Sequence, residues 1–243
     1  MKWLTLLTCL VFTIWLITTG LPANKGITKT NNTTLMETTD SITTEKKKSE
    51  TFRQKMLRKM YPTILKMGKK GKNGTTLVNE NNTQPISSFY DLKAVLNNGE
   101  TLKFSELRDK KVVLVNTASN CGYTGQYAEL QSLHERFGDT LAIIAFPAND
   151  FAQQEKSNDK EIAQFCQINY GVTFPVALKG VVIKNAEQQE VFKWLSDKNL
   201  NGWNGHAPDW NFSKYIVDEN GILTHYFGPS ISPLEEEFLE VLK

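Results

Sequence analysis

Cysteine has the most distinctive chemistry of the residue types in this chain, and it occurs at positions 9, 121 and 166. Cys9 lies in an uncharged N-terminal segment, so Cys121 and Cys166 are the thiols of the folded part. Two widely separated cysteines do not form a disulfide framework, and neither belongs to a CxxC or Cys/His cluster of the kind that binds zinc. A free cysteine is often a small buried hydrophobic residue. Its place in the fold decides whether it is instead a reactive thiol.

The segments around Cys121 predict that it lies between a strand and a helix. Residues 111–117 (KVVLVNT) form a β-branched run typical of a strand buried on both faces. Residues 125–137 carry apolar side chains at helical spacing. Cys121 would then lie where open α/β sheets bind ligands, and the partial positive charge of the helix N-terminus would favour a thiolate. We therefore expect Cys121 to be a nucleophile with a lowered pKa.

A thiolate in this position has two kinds of chemistry open to it. It can attack a peroxide oxygen and become a sulfenic acid, provided that hydrogen-bond donors stabilise the departing oxygen anion. Thiol–disulfide exchange is the alternative, but it normally uses a CxxC pair, and Thr124 stands three positions after Cys121. Peroxide reduction is therefore the favoured reaction.

Further strands and helices are expected around this pair of elements. Residues 141–146 (LAIIAF) predict a second buried strand, which makes a βαβ unit with a parallel strand pair. Two turns that contain Asn-Gly predict hairpins. The other predicted elements are hairpin strands at 85–91 and 101–104, hairpin strands at 211–218 and 223–227, and helices at 158–170 (capped by Ser157 or Asn158), 190–195 and 234–242.

This order of elements predicts an α/β thioredoxin fold, with a central mixed β-sheet flanked by helices and an N-terminal β-hairpin. A hydrophobic content of 40% supports a core of that size. The formal net charge of +2 gives no argument for binding to nucleic acid. The three histidines are isolated from one another and are expected to be structural or at the surface.

Three segments resemble the signature segments of glutathione peroxidases, in the family's order and spacing. They are VNTASNCGYTGQY (115–127), IAFPANDFAQQE (144–155) and WNFSKYIVDENG (210–221), and the resemblance covers residues 85–243. It implies a cysteine-type, non-selenium peroxidase in which Cys121 reduces hydrogen peroxide and organic or lipid hydroperoxides, in the response to oxidative stress. It implies no bound cofactor and no metal, only a thiol co-substrate.

The resemblance also implies three partners for Cys121: the Gln154 side-chain amide, the Trp210 indole N–H and Asn211. All three are neutral donors or dipoles suited to an anion. Each has an ordinary alternative role, as a solvent-facing loop residue, a core aromatic and a turn residue respectively. The second segment also departs from the family's usual FPCNQFGGQEPG: Ala148 replaces cysteine, and Ala152 and Gln153 replace a glycine pair.

Asp150, in place of the family's glutamine, adds a negative charge near Cys121. Pointing inward, it would raise the pKa of the thiol, and we expect it to face solvent. The Ala152-Gln153 pair is expected to make the loop stiffer and to set it differently. A redox-inert binding or scaffold domain is the alternative reading of these departures, and the retained Cys121, Gln154, Trp210 and Asn211 argue against it.

Cys166 is a candidate resolving cysteine. Many cysteine-type relatives condense the sulfenic acid with a second cysteine on the following helix and are then reduced by thioredoxin. Cys166 lies one residue from that position, about 100° of helix rotation, so we expect it to face inward and to require local unwinding. The alternative is a core cysteine. A thioredoxin-like reductant is favoured over glutathione. Segment 180–210 is short and lacks the insertion that tetrameric glutathione peroxidases use for assembly, so the resemblance implies a monomer with a site open to bulky hydroperoxides.

Residues 1–23 are predicted to be a signal peptide or membrane anchor, because residues 3–21 contain no charge. The predicted location is exported or membrane-anchored (periplasmic or extracellular), with a cytosol-facing anchor as the minority reading. Residues 24–50 are polar and read as a flexible linker.

Residues 51–84 are predicted to contain a basic amphipathic helix and a linker. The basic segment 46–72 is a candidate for contact with an anionic membrane surface. The alternative is a helix that packs on the domain and leaves its basic face in solvent. Pro62 is expected to kink or restart this helix. The peroxidase-like domain is predicted to span residues 85–243.

Overall fold

The computed structural model describes residues 50–243. The predicted N-terminal segment 1–23 lies outside the described residues, as does all of the predicted linker 24–50 except Glu50. The strands of the described part are β1 (Thr76–Val78), β2 (Lys93–Val95), β3 (Thr101–Lys103), β4 (Lys111–Thr117), β5 (Leu141–Pro147), β6 (Lys214–Val217) and β7 (Leu223–Phe227).

Helices flank these strands, and Asn158 caps α3 as predicted, because its side chain accepts a hydrogen bond from the Glu161 N–H. No helix within residues 50–243 is both long enough and apolar enough to cross a bilayer. The helices are α1 (Phe52–Gly68), α2 (Gln126–Phe137), α3 (Asp159–Tyr170), α4 (Glu190–Ser196), α5 (Lys198–Asn201) and α6 (Glu236–Leu242), with short 3₁₀ turns at Lys72–Gly74, Phe89–Asp91 and Phe104–Leu107.

A five-stranded mixed sheet lies at the centre, in the order β1-β7-β6-β4-β5. The predicted βαβ unit is confirmed, since β4 and β5 pair in parallel. The predicted β6–β7 hairpin is also confirmed, although β6 begins at Lys214 rather than Asn211. Alternate residues of β4 enter different cores: Val113 and Val115 pack on one face of the sheet, and Val112 and Leu114 on the other. Burial on both faces accounts for the unbroken β-branched run.

The first hairpin differs from the prediction. Strands β2 and β3 pair antiparallel, but they form a separate two-stranded sheet. The strand predicted at 85–91 is wrong, because Phe89–Asp91 is a 3₁₀ turn whose Tyr90 N–H donates to the Ser88 side chain. The turn places the Phe89 ring 5.3 Å from the ring of Trp194, and this tertiary contact overrides the strand-like local pattern.

The folded domain begins before residue 85, so the predicted boundary is wrong. Strand β1 pairs antiparallel with β7 and forms an edge of the central sheet, with Thr76 opposite Phe227. A strand of three residues is too short to show a period of two in the sequence. Residues Thr76–Val78 are extended because they pair with β7, which is distant in the sequence.

Helix α1 continues through Pro62, so the restart offered as one of the two expected effects of this proline does not occur. A capping box starts it: the Thr51 side chain accepts from the Gln54 N–H, and the Gln54 side chain accepts from the Thr51 N–H. Tyr61 is buried, and Ile64 and Leu65 pack against the core beside it. Packing on both sides of Pro62 offsets the loss of one helical hydrogen bond. The helix therefore packs on the domain.

The loop after β5 contains two non-glycine residues in the left-handed conformation. Ala152 has φ 51° and Gln153 has φ 52°, and both side chains are exposed. These are the two positions at which the resemblance expects glycine. An L-residue in this conformation costs about 1–2 kcal/mol, so the loop is strained.

We expect Gln153→Gly to raise the free energy of unfolding by about 1 kcal/mol, because glycine tolerates positive φ and the exposed side chain makes no buried contact. Urea unfolding measures the change. The matched control is Ala128→Gly at an exposed position of α2, which should lose about 1 kcal/mol. A loss of stability in Gln153→Gly would contradict the assignment of strain.

Candidate active site

Cys121 lies on the turn that connects β4 to α2. The Thr124 N–H and hydroxyl both donate to the Cys121 carbonyl, at 3.3 and 3.0 Å. Helix α2 begins at Gln126, so Cys121 lies between β4 and α2 as predicted, about one turn before the first helical residue. The N–H that faces the sulfur belongs to Tyr123, at 3.5 Å from Sγ.

The Cys121 thiol is buried, with 1% of its surface exposed. Burial raises its pKa to about 11, and hydrogen bonds from the Tyr123 N–H, Trp210, Asn211 and the Gly122 N–H act in the opposite direction. The expectation of a lowered pKa is therefore wrong for this structure, because loss of hydration outweighs the donors. Those donors are nonetheless what favours the thiolate at this site.

Trp210 and Asn211 reach Cys121 from the segment before β6. Asn116 of β4 fixes this segment: its Nδ2 donates to the Trp210 carbonyl at 3.1 Å, and its Oδ1 accepts from the Ser213 N–H at 3.1 Å. Phe212, between them, has φ 70° and is fully buried. Sequence reasoning missed Asn116, although a polar residue inside the buried run KVVLVNT is a signal for it.

Gln154 joins the site through Asn211. Its Oε1 accepts a hydrogen bond from Asn211 Nδ2 at 3.1 Å, and its carbonyl accepts from the Asn120 N–H at 3.1 Å. The four residues that the resemblance singled out are thus brought together: the Trp210 and Asn211 side chains act to lower the pKa of Cys121, and Gln154 is hydrogen-bonded to Asn211. By accepting this hydrogen bond, Gln154 orients the Asn211 amide with its NH₂ group toward Gln154 Oε1 and the Cys121 sulfur.

Glu155 holds the loop after β5 against the Cys121 turn, and sequence reasoning assigned it no role. Its side chain is fully buried, and Oε2 accepts from the Ser119 N–H at 2.7 Å and from the Ser119 hydroxyl at 2.6 Å. Its own N–H donates to Asn149 Oδ1 at 2.9 Å. Burial raises the pKa of the Glu155 carboxyl, and the Ser119 donors lower it. The available signal was an acidic residue inside the second segment.

Asp150 does not face solvent as expected. Its Oδ2 accepts a hydrogen bond from the Val182 N–H at 2.7 Å, and the residue is half-buried. The carboxylate thus satisfies the backbone N–H of Val182.

Cys166 lies on α3 with 2% of its surface exposed, in the same core cluster as Cys121, so its inward orientation is as expected. Both cysteines are free thiols. Burial raises the pKa of Cys166 to about 12, although a hydrogen bond with the Tyr127 hydroxyl lowers it. Cys166 is therefore a poor nucleophile while α3 is intact.

A crystal structure of a DsbF homologue from Corynebacterium diphtheriae has a similar fold. Its TM-score is 0.50 at 17% sequence identity, and the match covers 70% of this chain and 93% of that chain. At this identity the likeness concerns the fold alone, and the predicted class, a thioredoxin fold with a mixed sheet flanked by helices, is confirmed.

Comparison of sequences then defines the family. The glutathione peroxidase family model matches residues 89–196. A glutathione peroxidase-like peroxiredoxin 2 of Saccharomyces cerevisiae is 38% identical over 159 residues, 64% of this chain and 98% of the relative. A glutathione peroxidase of Lactococcus lactis is 39% identical over 158 residues, 64% of this chain and 99% of the relative. The chain belongs to the glutathione peroxidase family and is a peroxidase, an oxidoreductase.

We expect Trp210→Phe to raise the pKa of Cys121, because it removes the indole N–H that acts to lower it. The phenyl ring keeps the aromatic packing on Phe151, whose ring centre lies 5.5 Å from that of Trp210 in the wild type. A hydrogen bond to a charged group is worth about 1.5–3 kcal/mol, or roughly one to two pKa units. The thiolate forms as pH rises through the pKa, so at one pH below the wild-type midpoint the variant should show less thiolate absorbance.

The measurement is made in a Cys166→Ser background, so that Cys121 is the thiol that titrates within the folded domain. Trp203→Phe is the matched control, since Trp203 is partly buried and packs in the core on the opposite face of the sheet. Equal titration curves for Trp210→Phe and the control would contradict the role given to the indole.

Proposed function

We propose that Cys121 is the peroxidatic residue of this thiol peroxidase and that its substrates are hydrogen peroxide and organic or lipid hydroperoxides. The observation that carries the proposal is a buried sulfur beyond the end of β4, with the Tyr123 N–H 3.5 Å from it and the Trp210 and Asn211 side chains acting to lower its pKa. Family membership supports the peroxidase class, and the donors support these residues as its site.

In the first step, the Cys121 sulfur attacks one peroxide oxygen and the O–O bond breaks. Sulfur is oxidised to a sulfenic acid, and the second oxygen leaves as water or an alcohol after taking up the proton that the thiol gave up. The Trp210 and Asn211 donors are placed to stabilise first the thiolate and then the oxygen anion that forms. Gln154 acts by orienting Asn211.

For the second step, we propose that Cys166 attacks the sulfenic acid, which forms a Cys121–Cys166 disulfide and releases water. A thioredoxin-like protein, or glutathione as the alternative, then reduces the disulfide to two thiols. The shared core cluster supports the pairing, and the burial of Cys166 on an intact helix means that α3 has to unwind locally first. The electrons come from the thiol co-substrate, and no bound cofactor enters the cycle.

We further propose that the enzyme is a monomer and that it works outside the cytoplasm or on a membrane. The monomer is supported by the resemblance, because segment 180–210 lacks the insertion of tetrameric glutathione peroxidases, and the location is supported by the uncharged run at 3–21. One alternative function is a redox-inert binding domain, which the raised pKa of Cys121 favours. Activity assays separate the two.

We expect the wild-type protein to consume hydrogen peroxide with thioredoxin as electron donor, more slowly with glutathione, and Cys121→Ser to lose at least about a thousandfold in rate because no nucleophile remains. Coupled NADPH oxidation measures turnover. The control is the double variant Cys121→Ser/Ser196→Cys, which has a cysteine at a position away from the site and should remain inactive. No consumption with either donor by the wild type would favour the redox-inert alternative.

After one equivalent of peroxide, we expect mass spectrometry to find a Cys121–Cys166 disulfide and the loss of both free thiols. Cys166→Ser should accumulate the Cys121 sulfenic acid, because its resolving thiol is gone, and should lose thioredoxin-dependent turnover. A stable sulfenic acid at Cys121 in the wild type, with Cys166 still reduced, would contradict the resolving role.

A further inference from the structure

Helix α1 has two different faces, and one of them is docked on the catalytic domain. Tyr61 is buried in the core, with Ile64 and Leu65 packed beside it. Gln54 Nε2 donates to the Ser119 carbonyl at 3.3 Å, next to the Cys121 turn. These residues recur at helical spacing, so they form a single inner stripe.

The inner stripe lies directly on the turn that carries Cys121. A Cβ added to Gly122 would lie 2.8 Å from Ile64 Cδ1, and one added to Gly125 would lie 2.5 Å from the Tyr61 ring. At Gly125 the rigid Tyr61 ring leaves no room for a Cβ, so this close approach requires glycine, whereas at Gly122 the end of the Ile64 side chain could shift. A helix is about 10 Å across, so whatever contacts the outer face of α1 lies about one helix diameter from the Cys121 turn.

The outer face of α1 carries an exposed apolar stripe. Phe52 is 84% exposed, Met56 44%, Met60 46% and Met67 73%, and the spacing of four, four and seven residues keeps them together on one side of the helix. Most large apolar residues on a soluble domain are scattered singly, whereas a continuous stripe marks an interaction surface.

A basic stripe runs beside the apolar one. Lys55, Lys59 and Lys66 are exposed, and none of the three forms an ion pair with any residue of the described part, 50–243. Two other cations of this region are already paired: Arg58 with Glu50, and Lys69 with Glu235. The outer face of α1 is thus positive and apolar at once.

We propose that the outer face of α1, defined by Phe52, Met56, Met60, Met67 and the three lysines, binds the surface of an anionic lipid bilayer. Apolar side chains beside exposed lysines are the pattern of a helix that lies in the interface and attracts anionic headgroups. The uncharged run at 3–21, upstream in the same chain, is also suited to lipid, which favours a membrane over an acidic protein as the occupant.

This surface would place the Cys121 turn close to hydroperoxides carried by membrane lipids. That consequence rests on the proposed function, because it requires Cys121 to reduce peroxides. Binding itself does not depend on activity, so the two ideas can fail separately.

The first test is hydroxyl-radical footprinting of the full chain with vesicles of phosphatidylcholine alone or with phosphatidylglycerol added. We expect oxidation of Phe52, Met56, Met60 and Met67 to slow several-fold only with the anionic vesicles. Ile86 and Leu178, exposed apolar residues outside α1, should react at an unchanged rate. Equal oxidation rates of these side chains with both kinds of vesicle would overturn the proposal. Protection that appears without vesicles and grows with protein concentration would also overturn it, because it would show that the face binds a second copy of the chain.

The second test uses Lys55→Glu/Lys59→Glu/Lys66→Glu in the full chain, against Lys93→Glu/Lys103→Glu/Lys193→Glu, three exposed lysines outside α1. Each basic residue near an anionic surface gains roughly fivefold in affinity, so the α1 variant should lose its footprint and at least about tenfold in rate on vesicle-borne phospholipid hydroperoxide. Its rate on hydrogen peroxide should stay at the wild-type value.

These measurements distinguish a failure of membrane binding from a failure of the proposed function. An unchanged footprint and rate in the α1 variant, or equal losses in the control variant, would overturn binding through this face. A wild type that binds anionic vesicles through α1 but consumes no peroxide of either kind would leave the membrane surface standing and overturn the proposed function.

Discussion

Burial of the Cys121 thiol among neutral hydrogen-bond donors is the constraint on which the structure around it depends. Burial raises the pKa of the thiol to about 11, whereas the Tyr123 N–H, Trp210 and Asn211 act to lower it. All of these donors are neutral. A neutral donor stabilises an anion without adding a second charge that would itself have to lose its hydration.

Donors of this kind are useful only if their positions are fixed, and buried polar side chains fix them. Asn116 bonds the backbone on both sides of Asn211, and Glu155 bonds both polar hydrogens of Ser119. Each such residue links a strand or loop of the site to another that is distant in sequence. Removing one partner would leave a buried polar group without its hydrogen bond, which costs about 1–3 kcal/mol.

Helix α1 adds a second layer that the family match at 89–196 does not include. It covers the Cys121 turn with Tyr61 and Ile64 and turns its methionines and lysines outward. The same helix therefore contributes to the burial that sets the Cys121 pKa and supplies the surface proposed to meet a membrane.

The sequence by itself determined the elements whose pattern is local and strong: β4 and β5 from their β-branched runs, α2 and α3 from helical spacing, and the β6–β7 turn from Asn-Gly. Local pattern also pointed to Cys121, and the resemblance to glutathione peroxidases pointed to Gln154, Trp210 and Asn211. Tertiary structure decided the rest, since β1 is a strand only because β7 pairs with it, and the turn at Phe89 follows from packing on Trp194. The direction of the Cys121 pKa shift, the bond of Asp150 to Val182 and the anchoring role of Glu155 depend on burial and on distant partners, which no local pattern records.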